Sequence, residues 1–191
     1  MDSLTHQLED LRKTVERFHG QLPEVEATGK KLAATLAGGG KILTCGNGGS
    51  ACDALHLTEE LVGRFDQNRR SLAALCLCAD APLLTCIAND FGYDTVFARQ
   101  VEGLGRAGDA LIVFSTSGNS ANLVAALTAG RRQGLTTISL LGKTGGKCRG
   151  LADHDIIVPS ATTARIQEVH TFILHAWLGL IEAEPGLLAP V

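Results

Sequence analysis

This 191-residue sequence predicts a doubly wound α/β fold, a five-stranded parallel sheet with a helical pair ahead of it. Three observations predict it. Short apolar runs alternate with helix-period segments from residue 41 onward. The runs are apolar almost throughout, as parallel strands covered on both faces are. Two of them lead directly into turns rich in glycine or hydroxyls and then into a helix, the junction at which such folds bind ligands.

The elements follow in order. Leu4, Leu8, Leu11, Val15 and Phe18 place one apolar stripe on a first helix, close to a coiled-coil seam. A second helix is expected from about Pro23 to Leu36, with proline in its first turn and Gly38-Gly39-Gly40 stopping it. This pair, residues 1–39, must bury its stripe on its own sheet or on a partner subunit; residues 40–191 form the main domain. There Lys41–Cys45 reads as a strand, Ser50–Val62 as a helix, Leu72–Leu77 as a strand and Ala81–Ala88 as a short helix. Ala110–Phe114 is a strand, Asn119–Gln133 a helix, Thr136–Leu141 and Ile156–Val158 strands, and Thr163–Glu184 a long final helix. Phe65–Ser71, rich in Arg and Asn, reads as a solvated loop, and His19 and His154 as surface residues.

Composition excludes several function classes. Hydrophobic residues make up 45% and the net charge is −3, which fits an ordered globular chain. No basic block points to nucleic acid or to an anionic membrane. No apolar run approaches the ~20 residues of a membrane span. The polar, acidic start Met1–His6 is unlike a secretory signal, so the expectation is a cytosolic protein. The six cysteines form no C-x-x-C pair, and Cys45, Cys76 and Cys78 lie in strand-like runs. They read as buried, reduced thiols packing as small hydrophobes.

The first strand runs into Gly46-Asn47-Gly48-Gly49-Ser50, and a helix follows. Glycines there let backbone N–H groups face an anion, and the helix N-terminus adds free donors and partial positive charge. The third strand ends in Ser115-Thr116-Ser117-Gly118-Asn119-Ser120, a set of uncharged donors suited to phosphate oxygens. Lysine is absent, so this is not the loop of nucleotide triphosphatases. Plain turn and cap chemistry also uses Gly and Ser at such junctions. Gly46-x-Gly48-x-x-Ala51 also fits a dinucleotide fingerprint, but the acidic residue that should follow about 20 residues on is missing; Asp80 lies well beyond.

His56 and Glu60 are spaced i,i+4 and share one face of the second-domain helix, while Glu59 points about 100° away. Gln167 and His175 lie two turns apart on the last helix and can converge on one pocket; His170 falls on the other side of Gln167. Such a set suits zinc, and it equally suits acid/base chemistry beside a carbonyl. An exposed His–Glu helix pair has the same spacing.

Gly46–Ser50, then Asp53, His56, Glu59-Glu60-Leu61 and Arg64, resembles the phosphoheptose isomerase family of the sugar isomerase (SIS) fold. So do Ala88-Asn89-Asp90-Phe91-Gly92, Ser115–Ser120, Gly142 to Gly146, and Arg165–His170 with His175. The likeness runs collinearly over roughly residues 40 to 184. The resemblance implies an aldose–ketose isomerase with Glu60 as general base and His175 as partner acid/base. It implies Ser50, Ser115, Thr116, Ser117 and Ser120, with Gly48 and Gly49, around the sugar phosphate. It also implies Asn47, Arg64, Asn89, Asp90 and Gln167 along the sugar, and zinc held by His56, Glu60, Gln167 and His175. It further implies a homotetramer with active sites at subunit interfaces. The same fold includes non-catalytic relatives, one binding a replication initiator and others sensing sugar phosphates. The relative that binds the initiator keeps the turns and loses the base and its partner histidine, both of which are present here.

Overall fold

The strands are β1 (Ile42–Gly46), β2 (Ala74–Cys76), β3 (Ala110–Ser115), β4 (Thr136–Gly142) and β5 (His154–Val158). In the computed structural model, which describes residues 3–188, they form one sheet in the order β2-β1-β3-β4-β5, parallel at every pairing. The chain leaves β1 for β2 on one side and returns as β3 on the other. That makes the gap beyond the ends of β1 and β3 the topological switch point, where open α/β sheets bind ligands. Gly46 of β1 lies in register with Phe114 of β3, so the turns after these strands open side by side.

The described residues form seven α-helices, α1 (Leu4–Phe18), which packs on α7, and α2 (Leu22–Ala37), α3 (Gly49–Val62), α4 (Ala81–Phe91), α5 (Ala98–Leu104), α6 (Ala121–Arg132) and α7 (Thr163–Glu182), which flank the sheet. Alternate strand residues point to opposite faces. Ile42, Ile112, Phe114 and Leu140 pack under α2, α3 and α7. Leu43, Cys45, Leu111 and Val113 pack under α4, α5 and α6. Because both faces are covered, the strands had to be apolar throughout, which is why the sequence showed no alternation.

The α2 helix belongs to this core. Its Val25, Leu32 and Leu36 are buried with Trp177 and Leu178 of α7. Trp177 Nε1–H donates to the Val25 carbonyl and the Thr28 hydroxyl, both at 3.0 Å, so the large ring is buried without an orphaned donor. Gly29 faces the Trp177 and Leu180 side chains so closely that a Cβ would overlap them. The stripe on α1 divides: Phe18 is buried, Leu11 is half-buried, and Leu4, Leu8 and Val15 are 83%, 69% and 52% exposed.

Four expectations need correction. The Phe65–Ser71 segment is not simply solvated, because Arg69 within it is buried and ion-paired to Glu182 (Nε to Oε1, 3.0 Å). His154 begins β5 and is half-buried, with Nδ1 2.7 Å from Glu24. Cys52 and Cys86 are exposed, whereas Cys45, Cys76 and Cys148 are buried. The sequence does not announce the short α5; a seven-residue helix with Gly103 inside it and Gly105 as its C-cap has too little periodicity. Among the described residues no helix is long and apolar enough to cross a membrane.

Candidate active site

The site begins with the two turns at the switch point. Gly48 adopts φ +57, a left-handed conformation that lets β1 turn sharply into α3. Ser50 is buried in the first turn of α3. Across from it, Gly118 sits at φ +65 with its backbone pressed against the Gly145 carbonyl, where a Cβ would collide. That close approach folds the serine-rich turn back on itself. The Ser115 hydroxyl accepts from the Gly118 N–H at 3.0 Å, and Ser120 starts α6 without capping it through its side chain.

The result is a cleft of about 170 Å³ lined by Asn47, Ser50, Ser115, Thr116, Ser117 and Ser120, closed below by Phe114 and Leu123. No lysine or arginine lines it. Its chemistry is that of neutral hydroxyl donors beside two helix N-termini, suited to an anion such as a phosphate ester. Asn47 is held in place by a partner the sequence did not reveal. Asn47 and Asn122 exchange amide hydrogen bonds at 3.0 and 2.9 Å, and the Tyr93 hydroxyl donates to Asn47 Oδ1 at 2.9 Å. Asn122 is buried at the start of α6.

From the cleft a polar seam runs between α3 and α7, which lie alongside each other in the same direction. The Gln167 amide packs against Gly49, where any Cβ would overlap it. One turn on, the Thr171 hydroxyl donates to Asp53 at 3.4 Å. Burial pushes the Asp53 carboxyl up to about 6, against the opposing pull of Thr171 and His56, and its Oδ2 is buried without a hydrogen-bond partner. A further turn on, the His175 ring meets His56 edge-on, centroids 5.0 Å apart. His56 Nε2 is 3.6 Å from Glu60 Oε1. Phe65 covers the other side of His175, stacked at 5.5 Å with the rings 21° apart.

Thus His56, Glu60 and His175 come together, and Gln167 links them to the cleft. His170, by contrast, is wholly buried beside Phe114, with Nε2 3.2 Å from the Leu141 carbonyl. Burial lowers its pKa to about 4, so it is a neutral core residue. Arg64, Asn89 and Asp90 are exposed and do not line the cleft: Arg64 reaches the Asp66 carbonyl at 3.5 Å, and Asn89 bonds Asp90 at the end of α4. Ligand atoms of His56, Glu59 and Glu60 lie within 4.8 Å of one another, so this helix face could hold a cation. Glu59, unlike Glu60, is exposed.

A model of the SIS domain family matches residues 6–142. A phosphoheptose isomerase from Vibrio vulnificus is 47% identical over 184 residues, spanning 96% of this chain and 95% of that protein. One from Fusobacterium nucleatum is 45% identical over 190 residues, spanning 100% and 95%. The solved structure of a phosphoheptose isomerase from Neisseria gonorrhoeae superposes with a TM-score of 0.89 at 38% identity, covering 94% of this chain and 97% of that one.

Proposed function

The chain belongs to the phosphoheptose isomerase family of SIS domain proteins, and we propose that it converts sedoheptulose 7-phosphate to D-glycero-D-manno-heptose 7-phosphate. One observation carries this reading: α3 starts at a hydroxyl-lined cleft without Lys or Arg and carries, further along, the His56–Glu60 pair that meets His175 of α7. The cleft, through Ser50, Ser115, Thr116, Ser117 and Ser120, takes the phosphate, whose binding fixes the reacting carbons at the other end. Asn47, with the backbone of Gly48 and Gly49, contributes along the sugar, as does Gln167; Arg64, Asn89 and Asp90, exposed on this chain, reach the sugar where subunits meet.

The chemistry follows from the groups at that end. The Glu60 carboxylate removes a proton from C1 of the ketose, and the C–H electrons form the C1–C2 double bond of a cis-enediol. His175 gives a proton to O2 as the carbonyl opens and takes one from O1 as the aldehyde forms. Glu60 returns its proton to C2, so nothing is consumed. A carboxylate and an imidazole from different helices suit the two roles.

The donor set fits zinc, which takes imidazole nitrogen and carboxylate oxygen. His56, Glu60, Gln167 and His175 would hold the ion, and when bound it would polarise the substrate oxygens. We place the enzyme in the cytoplasm as a homotetramer, the exposed α1 leucines supplying part of the subunit contact.

Assay of the purified protein with sedoheptulose 7-phosphate tests this, beside Glu60→Gln and His175→Gln. Turnover lost by ~10²-fold or more in both variants supports the assignment. Folded wild-type protein without turnover, zinc supplied, overturns it and favours a non-catalytic binding role for the same cleft.

A further inference from the structure

Glu182 is a buried carboxylate seven residues beyond His175 on α7, two turns further along the same side of the helix. It accepts the backbone N–H groups of Phe65, Asp66 and Gln67 at 3.1, 3.0 and 2.8 Å, and Arg69 Nε–H at 3.0 Å. Four donors hold its pKa below the usual carboxylate range despite burial. Arg69 extends the network to α3. Its guanidinium donates to the carbonyls of Glu60 at 2.8 Å and Leu61 at 3.0 Å, and to Gly63 at 3.4 Å, satisfying the open end of that helix.

Both halves of the network end at the chemistry. The loop pinned by Glu182 carries Phe65, whose ring stacks on His175. The helix end pinned by Arg69 carries Glu60. We infer that Glu182 and Arg69 are positioning residues for the isomerisation, aligning the His175 ring through Phe65 and seating Glu60 from below. This rests on the isomerase reading for its kinetic consequence, but the alignment itself does not. Breaking the Glu182–Arg69 pair would leave an uncompensated buried charge, so the Phe65 loop and the end of α3 are held to each other through α7.

The test uses Phe65→Leu, Phe65→Tyr and Glu182→Gln in the full-length protein, with two readouts. The first is kinetic. Phe65→Leu and Glu182→Gln should lower kcat by ~10-fold to ~10²-fold with KM changed less than ~3-fold, and Phe65→Tyr should restore kcat. The second needs no substrate. Carbon-labelled histidine spectra should show the His175 ring resonance shifted by the stacked Phe65, with the shift lost in Phe65→Leu and altered in Glu182→Gln. A Phe65→Leu protein that keeps both wild-type kcat and the His175 shift overturns the inference. If Glu182→Gln does not fold, Glu182→Asp, which keeps the charge but withdraws the acceptor, replaces it in both readouts, and a folded Glu182 variant with wild-type kcat and His175 shift overturns the inference. Should wild type fail to turn over the heptose phosphate, the isomerase reading falls while the spectra still judge the alignment.

Discussion

The side-chain amides of Asn47 and Asn122 bond each other reciprocally, at 3.0 and 2.9 Å, across the gap between the β1 and α6 ends of the cleft. An amide that both gives and receives has one orientation, so Asn47 presents a fixed edge to whatever occupies the cleft. Asn122→Ala leaves the half-buried Asn47 amide N–H without its acceptor and Asn47 with only its Tyr93 bond, costing about 1 kcal/mol. The melting temperature should drop ~2–4 °C per kcal/mol for a chain of this size. KM for the sugar phosphate should rise while kcat stays within a few-fold. Unchanged KM and melting temperature would show that Asn47 is held by Tyr93 alone.

Gly118 combines a left-handed φ of +65 with backbone contact to Gly145. Gly118→Ala meets both penalties at once and should destabilise by more than about 2 kcal/mol in urea unfolding, with anion binding lost in the folded fraction. Gly48→Ala is the control, since it shares the positive φ but has open space around it. It should cost about 1 kcal/mol. Equal losses in the two would show that only φ matters.

His170 gives the fold a weakness on the acid side. Its folded pKa of about 4 lies below the unfolded value near 6.5, because burial disfavours the imidazolium. Between those values the unfolded chain takes up a proton that the folded chain refuses, so stability falls as pH falls from 6.5 to 4. The size is about 3 kcal/mol, complete below both values. His170→Asn should flatten this slope, whatever it does to the absolute stability. Parallel denaturant midpoints against pH for the two proteins would contradict it.

The carboxylate and imidazole cluster predicts metal binding that depends on His56. Chelator-stripped protein titrated with zinc should bind about one ion per chain by calorimetry, and His56→Gln should weaken binding by ~10-fold or more. Equal affinity in the variant would move the ion elsewhere.

The sheet and most helices were legible in the sequence because burial on both faces makes strands apolar throughout and glycine marks their ends. The pairing of His56 with Glu60 was legible too, since i,i+4 residues share a helix face whatever surrounds the helix. What the sequence hid depends on distant contacts. Asn122 lies 75 residues from Asn47, Tyr93 46 residues away, and Arg69 113 residues from Glu182. No local pattern distinguishes Arg69 from its exposed neighbour Arg70; only the folded chain brings a carboxylate to one of them. Arg64, Asn89 and Asp90 are picked out by their setting in a motif, and a single folded chain leaves them exposed outside the cleft.

The seam between α3 and α7 works as a ruler. The interval from the cleft at Ser50 to the carboxylate of Glu60 is a stretch of unbroken helix, and helix advances by about 1.5 Å per residue. Along α3 the spacing of Ser50 and Glu60 is therefore fixed, while the turn after β3 closes the cleft from the other side. Inserting or deleting one residue in α3 between Ser50 and His56 would slide the His56–Glu60 pair along the helix axis and swing it about 100° away from His175. The register of the two helices is therefore as much a part of the site as its side chains.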